Sequence, residues 1–227
     1  ACAVEDPARN PALLLAAQML ALADKGRDKF SFLLPEELSN LGLWLEQLLA
    51  ESLGKEGKGI VPVAEGAAPG PESCGPDRAF VHIGLDSKED EDGDPSVAAA
   101  AKLEAAGFPV LRTSLKDPLD LGAEFFRWEV AASALGHLLG IDPFDQPDVQ
   151  SAKDRTKTVL SSRSGGKLPY PPCTAAGEGF TLTLSKAAAK ALRDPAAYGE
   201  LTLGNFTSLL RPGDYIGLLA FMDSSGK

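Results

Sequence analysis

Four short apolar runs, each set off by segments of helical periodicity, constrain this chain more than any other feature. "DKFSFLLP" begins at Asp28, "GIVPV" at Gly59, "AFVHIGL" at Ala79 and "FPVLRTSL" at Phe108. Between the first two, Leu38, Leu41, Leu45, Leu48 and Leu49 recur at the spacing of one helix face. "PSVAAAAKLEAAG" opens on Pro95 and closes on Gly107, the usual order of proline just inside a helix and glycine just past its end. Asn10-Pro11 marks another helix start, with Gly26 as its stop. A long apolar helix runs from Asp120 to Gly140, and a further helix opens near Pro147. Strands that alternate with helices pair in parallel through right-handed crossovers. The pattern therefore predicts an α/β three-layer sandwich over residues 1–162, with a mostly parallel sheet flanked by helices.

The strands of such a sheet are expected to be buried on both faces. Ligands bind outside the carboxyl ends of the strands. That directs attention to the loops Pro35–Asn40, Ala64–Gly75 and Thr113–Leu121. Residues 163–178 read as a linker by their Gly and Pro content. Beyond it, "GFTLTLS" reads as a strand, "KAAAKALRD" and "YGELTLGNFTSLLRPG" as helical segments, and "DYIGLLAFM" as a terminal strand. Residues 163–227 are therefore expected to be a linker plus the start of a further α/β segment. The chain begins with Ala rather than Met and ends shortly after a strand-like run, which suggests a piece of a longer protein.

Composition narrows the function classes. The net charge is −10 and no basic block occurs, which argues against nucleic acid as a partner, since neutralising phosphates takes clustered Lys and Arg. The most apolar stretch, "ALLLAAQMLALA", is too short to span a bilayer. Cys2, Cys74 and Cys173 are far apart and match neither a zinc spacing nor a disulfide framework. A reducing, cytoplasmic setting follows from that usage.

Several residues suit chemistry, each with a plainer reading beside it. Gln146 and Lys153 are seven apart and share one face of the helix after Pro147. An amide and an ammonium there suit an anionic, polyhydroxylated ligand; the plainer reading is a solvated helix with Asp148 placed favourably at its start. Glu65 directly follows the "GIVPV" run, where a carboxylate at a strand's carboxyl end could act as a base, or simply face water. Glu129 interrupts the apolar pattern of the long helix and either faces out or pairs inside, with Arg127 for instance. His82 and His137 read as packing histidines. The glycines at 54, 57 and 59, with Lys55 and Lys58, are no phosphate loop, because they end a helix and enter a strand; a helix stop and a tight turn account for them. The long helix is apolar on more than one face, and is expected to bury part of itself against a neighbouring domain or a second copy of the chain.

Taken together, "GLWLEQLLAESLGKEGKGIVPV", "LGAEFFRWEVAASALGHLLGIDPFDQPDVQSAKDRTK" and "RPGDYIGLLAF" resemble the glucose-6-phosphate isomerase family, in the form fused to transaldolase in some bacterial bifunctional enzymes. The pattern FDQ-x-x-V-x-x-x-K, Phe144 to Lys153, is similar to that family's signature around its C-terminal catalytic lysine. The resemblance implies a sugar-isomerase (SIS-type) domain and the interconversion of glucose 6-phosphate and fructose 6-phosphate, without a metal or organic cofactor. It implies that Lys153 assists ring opening, that Glu65 moves a proton through an enediol, that Gln146 contacts the sugar phosphate, and that Glu129 stands behind them. The family's phosphate-binding Ser/Thr-rich loop belongs to an N-terminal isomerase domain and has no counterpart here. The resemblance thus implies that this chain supplies part of an active site and is weakly active or inactive alone. The alternative is a non-catalytic sugar-phosphate-binding SIS module.

Overall fold

The computed structural model describes residues 2–64, 68–86 and 94–163, the strand residues 174–177 and 180–183, and a few isolated positions beyond. Two compact units divide the chain, Ala1–Ser151 and Ala152–Lys227.

The first unit follows the predicted alternation. Helix α1 (Pro11–Ala23) leads to strand β1 (Lys29–Leu33), and α2 (Ser39–Leu53) to β2 (Val61–Ala64). Strand β3 (Arg78–Leu85) is followed by α3 (Pro95–Ala105), β4 (Val110–Leu115) and α4 (Leu121–Leu139). Helix α5 (Pro147–Ser161) closes the series and continues into the second unit. The four strands are all parallel, in the order β2-β1-β3-β4. The register pairs Phe32 with Ala64 on one side and Val81 on the other, and His82 with Leu33 and Arg112.

The helix ends obey local chemistry. The Asn10 side chain accepts hydrogen bonds from the backbone of Ala12 and Leu13, at 3.0 and 3.3 Å, and caps α1. Asp94 caps α3 by accepting from Ser96 N at 2.8 Å. Gly140 adopts the left-handed conformation after α4, with φ 66°, and Ile141 N then donates back to Gly136 O at 3.0 Å.

The strand pleat sorts the core into two layers. Phe30, Phe32, Ala79, Val81, Ile83 and Leu115 face one side and pack against α1, α2 and α4. Leu33 and Phe80 face the other and pack against Ala100 and Leu103 of α3. Each such Leu or Phe, once fully buried, contributes about 1.5–3 kcal/mol. Helices α2 and α3 lie on opposite faces because right-handed crossovers running in opposite directions from the sheet's centre require it. Burial on both faces holds for the central strands, where β1 and β3 are buried along nearly their whole length. It fails for β2 and β4, the sheet's edges, where only Pro62 and Leu115 are buried and the other residues are partly or fully exposed. Order within the sheet, which periodicity does not encode, decides that difference.

In the second unit, Thr174–Gly177 (β5) pairs antiparallel with Phe180–Thr183 (β6). The expected linker over 163–178 thus contains a strand, because the run "TAAG" finds a partner immediately downstream. The helical segments and terminal strand expected beyond residue 184 lie mostly outside the described residues.

Candidate functional site

The chain's direction reverses between β1 and β3: β1 connects outward through α2 to β2, and β3 connects outward through α3 to β4. Such a switch point opens a crevice at the carboxyl ends of the strands. On its β1 side the chain turns at buried Pro35 through a short 3-10 turn, Glu36–Leu38, straight into α2. Gly42, in the first turn of α2, lies so near the strand ends that a Cβ there would stand 3.1 Å from Leu34 Cδ1 and 3.6 Å from the Ala64 methyl. One turn later, the Glu46 carboxylate accepts the backbone N–H of Ala64 at 2.8 Å. The last residue of β2 is therefore fastened to α2. Glu65, the next residue, lies outside the described residues, as do residues 87–93 after β3. On the β4 side, the Ser114 hydroxyl donates to Asp86 Oδ1 and ties the end of β4 to the end of β3.

Helix α4 starts beside this edge and crosses the sheet. Its first half meets the carboxyl-edge elements: the Phe125 and Trp44 rings stack edge-on at 4.5 Å, and Arg127 donates to Thr113 Oγ1 at 2.9 Å. Its last turn meets the loop before β2, at the amino edge. Lys55 Nζ donates to Asp142 O at 2.8 Å, and Lys58 Nζ to Leu139 O at 3.2 Å. The Leu139 carbonyl is an orphan of the helix end, and the Lys58 cation there satisfies it and complements the negative end of the helix dipole, whereas the Asp142 carbonyl belongs to the loop beyond. The helix stop and tight turn expected around Gly54 and Gly59 are present; this use of the two lysines carries no local sequence signal.

The buried carboxylate of α4 is Glu124, not Glu129. Glu124 is 4 % exposed, accepts from Trp128 Nε1 at 2.9 Å and pairs with Arg127 at 3.3 Å. Burial pushes its pKa up, and Arg127 and the Trp128 indole hold it down in part. A signal was available in the sequence: Leu121, Glu124, Trp128, Ala131 and Leu135 form one inward stripe at helical spacing, and Glu124 lies on it. Glu129 is exposed, and its backbone carbonyl accepts from Ser133 Oγ. Of the two histidines, His82 is fully buried with its Nε2 3.2 Å from Ser96 Oγ, as expected of a packing residue. His137 differs from expectation: it is exposed in the last turn of α4.

The FDQ segment sits on the loop after α4. Phe144 is 79 % exposed, and Gln146 and Lys153 are both exposed. The loop is nonetheless organised. Phe144 N donates to Asp142 Oδ1 at 2.9 Å, and Gln146 N to Asp145 Oδ1 at 2.7 Å. Gln146 precedes the first turn of α5, where its carbonyl accepts from Gln150 N at 3.3 Å. No residue of α5 is buried. An exposed amide and an exposed ammonium can each hydrogen-bond hydroxyl and phosphate oxygens. No group of three or more His, Cys, Asp or Glu fit to hold a metal ion occurs among the described residues. Nor is any helix among them long and apolar enough to cross a membrane.

No family model matches the chain. The glucose-6-phosphate isomerase of Symbiobacterium thermophilum is 29% identical over 195 residues, covering 70% of this chain and 44% of that protein. The probable glucose-6-phosphate isomerase of Methanococcus maripaludis is 26% identical over 182 residues, covering 67% of this chain and 41% of the relative. The glucose-6-phosphate isomerase of Heliobacterium modesticaldum is 27% identical over 187 residues, covering 67% of this chain and 42% of that protein. The chain thus spans less than half the length of these curated relatives. Among solved structures, the hypothetical protein TT0462 from Thermus thermophilus matches with a TM-score of 0.50 at 19% identity, over 67% of this chain and 50% of that one. The chain is therefore similar in sequence to bacterial and archaeal proteins named glucose-6-phosphate isomerase, and the solved-structure match bears on its α/β fold alone.

Proposed function

We propose that this chain forms an SIS-type domain of a glucose-6-phosphate isomerase. Its reaction is the aldose–ketose interconversion of glucose 6-phosphate and fructose 6-phosphate. The observation that carries this reading is the similarity over 195 residues to the Symbiobacterium relative. In the proposed chemistry, Lys153 protonates the ring oxygen as the C1–O5 bond breaks, and recovers a proton from the C1 hydroxyl, which becomes the aldehyde. Glu65 removes the proton from C2 while O1 takes one from solvent, giving an enediol, and returns it to C1 as O2 releases its proton to solvent and becomes the carbonyl. Gln146 holds the sugar phosphate through its amide, and Glu129 supports the group from α4. The reaction is redox-neutral and regenerates both side chains. An N-terminal isomerase domain completes the site in this reading, and the setting is cytoplasmic.

A second reading, non-catalytic sugar-phosphate binding, rests on the exposed Gln146 amide and Lys153 ammonium, which can hydrogen-bond a sugar phosphate without any turnover. One pair of measurements separates the two. In the complete parent protein, formation of glucose 6-phosphate from fructose 6-phosphate is followed with a coupled dehydrogenase, and 6-phosphogluconate is titrated into the same protein. Turnover that collapses in Lys153→Ala supports the isomerase. Saturable binding without turnover supports the binding module. Neither binding nor turnover overturns both.

A further inference from the structure

We infer that Lys55 is a positioning residue for Gln146, acting through the loop that joins α4 to α5. The ligand part of this inference rests on the reading of Gln146 as the sugar-phosphate contact. Lys55 is only 7 % exposed, unusual for a lysine. Its ammonium donates at 2.8 Å to the carbonyl of Asp142, a residue 87 positions away. A buried ammonium without such an acceptor would be costly, so this bond fixes where Asp142 sits.

Order then passes residue by residue toward Gln146. Ile141, on the near side of Asp142, is buried and bonded to Gly136. Pro143, on the far side, packs where a Cβ on Gly136 would come within 2.9 Å of its ring, so only glycine admits the contact. The Asp142 carboxylate holds the amide of Phe144, and Asp145 holds that of Gln146. Lys58, more exposed, adds bonds to Leu139 and Gly140. The segment from 139 to 146 is thereby pinned to the loop that precedes β2, although its own side chains Phe144 and Gln146 are exposed and bury nothing that could hold them.

The test compares the full chain with Lys55→Met, which keeps the apolar stem and removes the donor, and with Lys55→Arg, which keeps a donor. Lys102→Met, on the exposed face of α3, is the control. Hydrogen exchange at the Phe144 and Gln146 amides is expected to speed up about tenfold in Lys55→Met, the equivalent of one lost charged hydrogen bond. Exchange in β3 should stay unchanged, and Lys55→Arg should recover most of the protection. Unchanged exchange at both amides overturns the inference, whether or not the chain binds sugar phosphates. Where 6-phosphogluconate binds, Lys55→Met should weaken it a few-fold, by no more than Gln146→Ala does, and should have no further effect in a Gln146→Ala background. Additive losses in the double variant would mean that Lys55 does not act through Gln146. Absence of binding by the unaltered chain counts against the sugar-phosphate reading instead, and leaves the exchange result to decide the role of Lys55.

Discussion

The indole N–H of Trp128 donates to the carboxylate of Glu124 at 2.9 Å, one turn back along α4 and inside the core. The same carboxylate pairs with Arg127, which reaches on to Thr113 of β4. The fully buried Trp128 ring meets Phe32 of β1 edge-on at 5.9 Å, so one polar cluster and one aromatic contact seat α4 on the sheet.

A pH dependence follows from Glu124. Its folded-state pKa is raised, with burial the largest cause. The stability linked to this group is therefore fully present below the unfolded-state value of about 4.3 and is lost as pH rises through the folded value. Glu124→Gln removes the titration. The urea midpoint of Glu124→Gln relative to the unaltered chain should climb from pH 4 toward neutrality. A difference that stays flat across that range would show that burial does not disfavour the ionised carboxylate.

Two glycines should rank by geometry. Gly59 has φ +115°, and a Cβ there would stand 2.4 Å from Leu53 O. Gly140 has φ +66°, with the Lys58 ammonium 3.7 Å from such a Cβ. Gly59→Ala should cost about 2–3 kcal/mol, and Gly140→Ala about 1 kcal/mol. Chemical denaturation of both variants checks the order, and equal losses would contradict it.

Asn10 serves α1 twice. Its Oδ1 caps the helix, while its Nδ2 donates to Cys2 O and Val4 O at 2.9 and 3.0 Å. Asn10→Ala should destabilise by about 1–2 kcal/mol. Asn10→Ser keeps an acceptor but cannot reach both carbonyls, so it should fall between the two. A serine variant as stable as the asparagine would show that the donor side contributes nothing.

For the proposed ligand, Lys153→Ala should raise the Kd for 6-phosphogluconate about tenfold, and Gln146→Ala should raise it less, because a neutral amide makes the weaker bond. The Lys153 effect should shrink as salt rises, since the ammonium is exposed. Isothermal titration at two ionic strengths reads both outcomes. An effect of Lys153→Ala that does not change with salt would argue against direct charge pairing with the ligand.

Much of this molecule was legible from residue order. The Asn10-Pro11 start, Pro95 with Gly107, and the alternation around Phe30, Val63, Val81 and Leu111 are local signals. Each depends on backbone chemistry or on a periodicity that spans only a few residues. The parallel α/β sandwich followed from them. The buried Glu124 was also legible, on its apolar stripe, yet the eye goes to Glu129, which stands among bulkier apolar neighbours and faces out.

Three features were settled only in three dimensions. One is the strand order, which makes β1 and β3 the buried centre and leaves β2 and β4 as edges. Another is the fastening of Ala64 to Glu46 at the end of β2. The last is the reach of Lys55 to Asp142 across 87 residues. The physical reason is the same each time. Hydrophobic period and capping record what a residue does with its near neighbours along the chain. Which distant carbonyl a lysine meets depends instead on which strands lie side by side and on which face each crossover helix lands, and only the packed fold fixes these.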